Sequence, residues 1–109
     1  MNDTQTTVAQ LRDRIRQFVE ARDWRQYHSP KNLTMALAIE VSELMEHFQW
    51  ISPAASRTIC DDSSKSEAIR DELADVIGYA LAIANELDID VSTAMREKMV
   101  KNEAKYPLE

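Results

Sequence analysis

Glycine occurs once in this 109-residue chain, at Gly78, and proline three times, at Pro30, Pro53 and Pro107. Sheets and sandwiches turn often, and tight turns draw on these two residues. Runs of β-branched residues, the usual mark of strands, are nearly absent as well. Both shortages point away from β structure and towards a few long helices. The aromatic set is small: Phe18, Trp24, Tyr27, Phe48, Trp50, Tyr79 and Tyr106. Cys60 is the only cysteine, so no disulfide can close within the chain, and a reducing cytoplasm is the expected setting. Positive charge is in deficit, with 13 Lys and Arg against 19 Asp and Glu and a net charge of −6. A general nucleic-acid binder needs a basic surface, so no nucleic-acid partner is expected. A nucleotide stays possible, because a metal ion can bridge acid to phosphate. No apolar run approaches the roughly 18 residues of a membrane span. The start, MNDTQTTVAQ, has neither the basic nor the apolar segment of a signal peptide.

What is present reads as one domain over residues 1–109, all-α and four-helix bundle-like. Apolar spacing places a first helix near 6–23, with Val8, Leu11, Ile15, Phe18 and Val19 on one face. A second runs near 33–51, capped by Asn32, and carries Leu33, Leu37, Glu40, Leu44 and Phe48 along one stripe. Residues 52–64 form the longest loop. Ser64 and Glu67 have the spacing of a capping box for a third helix that reaches Leu87 through Ile69, Leu73, Val76, Ile77, Leu81 and Ala84. Asp90 caps a fourth, near 91–105, with Met95 and Met99 facing inward. One short bundle leaves apolar faces to cover, so a homo-oligomer is expected.

Two acidic pairs stand out. Glu40 and Glu43 lie on the second helix, and Glu72 and Asp75 on the third. Each pair is spaced i, i+3, so its carboxylates share a helical face. Both pairs adjoin apolar positions, Leu37 and Leu44 for the first, Leu73 and Val76 for the second. Burying four uncompensated carboxylates together would cost on the order of several kcal/mol per ion. A hard divalent cation is the simplest compensation, and an all-oxygen site suits Mg²⁺, Mn²⁺ or Ca²⁺. The bland alternative is a pair of solvated helix faces, which an acidic chain produces readily by chance.

The stretches Arg22–Trp24, Glu40–Trp50 (EVSELMEHFQW), Asp71–Tyr79 (DELADVIGY) and Lys98–Pro107 (KMVKNEAKYP), with Asn32-Leu33, span nearly the whole chain. In this order, E-x-x-E followed by E-x-x-D resembles the all-α NTP pyrophosphatase superfamily, the MazG-like proteins, and most closely its dCTP pyrophosphatase branch. The resemblance implies a nucleoside triphosphate pyrophosphohydrolase that releases monophosphate and pyrophosphate. It implies that Glu40, Glu43, Glu72 and Asp75 hold Mg²⁺, with Mn²⁺ a possible substitute, and that a carboxylate of this group, Glu43 foremost and Glu40 next, serves catalysis by taking a proton. It assigns Lys98 and Asn102, spaced i, i+4, to phosphate. Trp24, His28 and Trp50 would form the base pocket, with Tyr79 against sugar or base, since a flat ring stacks on a nucleobase. A dimer or dimer of dimers is implied too.

Two positions depart from that pattern. Ser42 stands where a glycine is common, and Ile15 where dCTP-specific enzymes carry a histidine near the nucleotide. The second departure loosens strict dCTP preference and leaves broad-specificity or modified-nucleotide hydrolysis as the next reading. A redox di-metal bundle of the ferritin type wants Glu-x-x-His, and Glu46 follows Glu43 at that spacing instead. A non-catalytic helical interaction module is the remaining alternative.

Overall fold

A computed structural model describes residues 1–108 and is helical throughout, as the composition demands, with no strand among the described residues. Helix α1 covers Val8–Ala21, α2 Pro30–Glu46, α3 Pro53–Ser56, α4 Ser63–Leu87 and α5 Val91–Lys105, with 3₁₀ turns at Arg25–Tyr27 and Ile59–Asp61. None of the described helices is long and apolar enough to cross a membrane.

Short polar side chains set the helix starts. Thr7 caps α1 in a capping box with Gln10. Ser29, not Asn32, caps α2: Pro30 sits at the first helical position, where its missing N–H costs nothing, and the Ser29 hydroxyl accepts the Asn32 N–H at 3.1 Å. Asn32 instead turns its side-chain amide back to the Tyr27 carbonyl, 3.1 Å away. The Ser64–Glu67 box expected for the longest helix does not form. Asp62 lies two residues upstream and accepts from the backbone of Ser64 and Lys65. Helix α2 stops at Glu46, shorter than its apolar pattern suggests, and continues to Ile51 as turns. The expected 52–64 loop contains α3, begun by Ser52 and Pro53.

Helix α4 is the central element, with α2 laid along it and α1 across its C-terminal half. Leu33 of α2, 1% exposed, lies on a seam with Val19 of α1 and Ala82 of α4, and Ile69, Leu81 and Ala84 of α4 are buried as well. A polar clasp holds α1 in place: the Arg12 Nε donates to Asn85 Oδ1 at 2.9 Å and the Asn85 amide donates to the Arg12 carbonyl at 3.1 Å. Leu33→Ala should lower unfolding free energy by about 3 kcal/mol, within the range for a buried leucine. Urea denaturation at fixed protein concentration measures it; a loss below about 1 kcal/mol would mean this seam carries little of the fold.

Helix α5 stands apart. None of its residues is buried, and Met95 and Met99, expected to face inward, are 63% and 55% exposed. The radius of gyration is 16.5 Å, against about 13 Å for a closed domain of this length. The inward face expected for α5 finds no core within this one chain.

Candidate active site

Glu40 and Glu43 are one helical turn apart on α2, and α2 packs along α4 where α4 presents Glu72. This packing brings one carboxylate oxygen from each of Glu40, Glu43 and Glu72 within 4.8 Å of one another. Glu40 and Glu72 are half-buried. Burial raises the Glu40 pKa from 4.5 to about 7, helped by the adjoining carboxyls of Glu72, Glu43 and Asp75. Glu72 Oε2 is buried with no hydrogen-bond partner. A buried, unpaired carboxylate oxygen beside two more carboxylates is an expensive arrangement unless a cation completes it. The donors are all oxygen, so the group fits a hard divalent cation. Asp75, one turn beyond Glu72, is exposed and acts on Glu40 through its charge rather than as a member of the tight trio.

Next to Asp75 lies a cavity of about 210 Å³. Its aromatic side is built by the way α1 ends. Asp23 adopts φ 52°, the Trp24 N–H reaches the Val19 carbonyl at 3.0 Å and the Asp23 N–H reaches that of Glu20 at 3.1 Å. This is a Schellman turn with aspartate in the left-handed position usually held by glycine. Such turns bring the residue after the bend against one in the last helical turn, and here Trp24 meets Phe18 edge-on with centroids 5.5 Å apart. His28 follows, its ring 6.3 Å from that of Trp24. Across α4, Asp75, Gly78, Tyr79 and Ala82 line the same space at helical spacing. The cavity is thus aromatic and apolar at one end and opens beside an acid at the other.

The structure therefore gathers Trp24, His28 and Tyr79 around one cavity and Glu40, Glu43 and Glu72 around one point, with Asp75 between the groups. It does not bring the remaining expected residues to either. Trp50 is 87% exposed in the turns after α2. Lys98 is exposed and Asn102 half-buried on the outlying α5, and neither lines the cavity. Phe18, placed by spacing on the apolar face of the first helix, is 47% exposed and belongs to the cavity wall with Ile15. The spacing of Asp75, Gly78, Tyr79 and Ala82 on one face of α4 was the available signal for that wall. A neighbouring hollow of about 180 Å³ shares Ile15 and His28, but Arg16, Arg25, Asn85 and Glu86 make up much of its lining and none of the clustered acids reaches it.

The MazG-like family model matches residues 35–109. Among curated proteins, dCTP pyrophosphatase 1 of Rattus norvegicus is 37% identical over 102 residues, which is 94% of this chain and 60% of that protein. The Homo sapiens protein of the same name is 36% identical, covering 93% of this chain and 59% of its own. The chain thus spans about three-fifths of the length of these relatives. A crystal structure of a pyrophosphatase from Archaeoglobus fulgidus superposes with a TM-score of 0.86 at 35% identity, covering 99% of each chain.

Proposed function

This chain belongs to the MazG-like family, and on that footing we propose that it is a Mg²⁺-dependent nucleoside triphosphate pyrophosphohydrolase with a dCTP-like substrate. The observation that carries the reading is the Glu72 carboxyl, which meets those of Glu40 and Glu43 and has one buried oxygen without a partner, next to an aromatic cavity. A triphosphate needs cations near its phosphates and a flat apolar surface near its base, and the acidic cluster, once it held an ion, and the Trp24 side of the cavity would supply these side by side. The dCTP assignment is supported by the names of the relatives.

Glu40, Glu43, Glu72 and Asp75 would hold the ion, with Mn²⁺ able to replace it. A bound divalent ion neutralises phosphate charge. The chain's own groups then divide the remaining work. Trp24 offers a face for the base, His28 and Tyr79 supply polar groups at the rim, and the Phe18–Trp24 contact holds the indole in place. Glu43 is the proposed acceptor of the proton from the attacking water, with Glu40 the next candidate.

A homo-oligomer, a dimer or a dimer of dimers, completes the reading. The open apolar side chains of α5 and the large radius of gyration support it. Lys98, Asn102 and Trp50 would reach phosphate and base across that assembly. A cytoplasmic setting suits the exposed free thiol of Cys60.

Pyrophosphate release assayed across all deoxynucleoside and nucleoside triphosphates tests the proposal. The expected result is Mg²⁺-dependent conversion of dCTP to dCMP and pyrophosphate. Equal turnover of every purine and pyrimidine substrate would remove the dCTP preference, and release of orthophosphate in place of pyrophosphate would overturn the reaction class.

A further inference from the structure

Gly78 lies inside α4, a helix of 25 residues, where glycine costs about 1 kcal/mol relative to alanine. Close approach by another helix would explain it, but a Cβ built at Gly78 meets no atom within 4 Å. The open space beside it is the cavity next to Asp75. Ile15, Phe18 and Trp24 form other parts of the wall, and hydrogen-bonding side chains in the lining are confined to Trp24, His28, Asp75 and Tyr79. The other six lining residues carry no hydrogen-bonding side chain, so the bulk of a base counts here as well as its polar edge.

We infer that Gly78 sets the size of the base this site accepts. By withholding a side chain it leaves room for bases larger than cytosine, purines included. The inference rests on the pyrophosphohydrolase reading above. An apolar pocket discriminates by about 10–200-fold per methylene, whereas a site that hydrogen-bonds its substrate's polar groups reaches about 10⁴–10⁵. Restoring a methyl at residue 78 removes space that the larger base uses first.

The experiment compares the wild-type chain with Gly78→Ala and Gly78→Leu. It measures kcat/KM for dATP and dCTP, calorimetric affinity for dAMP and dCMP, and molar mass in solution. Gly78→Ala should lower the dATP:dCTP ratio about tenfold, with the dAMP:dCMP affinity ratio falling in step and the molar mass unchanged. Gly78→Leu should lower both ratios further. Unchanged ratios in Gly78→Ala, which fills open space with a better helix former, would overturn the inference. So would a changed molar mass with both substrates weakened alike, because that marks Gly78 as a packing residue between copies. If the wild-type chain hydrolyses no triphosphate, the proposed function fails by itself. The monophosphate affinities then decide the role of Gly78: a lowered dAMP:dCMP ratio upholds it, and an unchanged ratio rejects it.

Discussion

Glu72→Gln is expected to lower pyrophosphate release from dCTP by a hundredfold or more, on the order of the loss when a preorganised electrostatic group is removed from a site, while the far-UV circular dichroism stays that of a helical protein. The substitution keeps the shape of the side chain and deletes its charge. It acts on the oxygen that is buried and unpartnered, so an ion held there loses an anionic ligand. Glu40→Gln and Asp75→Asn should act in the same direction. Without a divalent ion the same substitutions should leave the fold as stable or more stable, since the wild-type cluster crowds carboxylates that repel one another. An interaction module without catalysis predicts the gain in stability with no turnover to lose. Activity and thermal unfolding measured on one preparation separate the two accounts.

The second large effect is a change in the sign of pH dependence. The Glu40 pKa is about 7 in the folded chain against 4.5 for the free group. Between these values the folded state binds more protons than the unfolded state, so metal-free stability falls as pH rises through that window. Asp62 and Asp90 run the other way: hydrogen bonds from the Ser64 hydroxyl and the backbone of α4 hold the Asp62 pKa down, and bonds from Thr93 do so for Asp90. Their contributions are lost only as pH falls past the normal aspartate range, below the Glu40 window. A divalent ion requires ionised carboxylates, so saturating Mg²⁺ should reverse the slope and make the protein more stable towards pH 7. At a free concentration one hundred times the dissociation constant, the ion adds about 2.7 kcal/mol. Thermal melts between pH 5 and 7.5, in chelator and in Mg²⁺, read both slopes. Parallel slopes in the two conditions would detach the carboxylate cluster from metal binding.

The acidic cluster was legible because it depends on two periodicities alone. Spacing of i, i+3 puts each pair on one face, and apolar neighbours turn that face towards the partner helix. The helical class followed from scarce glycine and proline, and Asp90 announced the start of α5 correctly. Other features depend on competition that a pattern does not display. Ser29 outcompetes Asn32 as a cap because Pro30 prefers the first helical position. Trp24 reaches its place through aspartate in a left-handed conformation, a choice nothing in the composition signals. Met95 and Met99 show the opposite difficulty: their spacing suggested an inward face, but spacing alone does not supply a core for it, and both are exposed in the folded chain. Trp50 lies beyond the true end of α2, so a helix drawn to residue 51 gave it a position the folded chain does not use.

A crystal structure of the chain with Mg²⁺ and a dCTP analogue that cannot be cleaved between its α and β phosphates tests the account most directly. The expected result is an ion about 2.0–2.1 Å from carboxylate oxygens of both α2 and α4, Glu72 Oε2 among them, bridging to the triphosphate, with the base against Trp24. An analogue bound elsewhere, or a cluster from α2 and α4 that stays free of metal at saturating Mg²⁺, would contradict it.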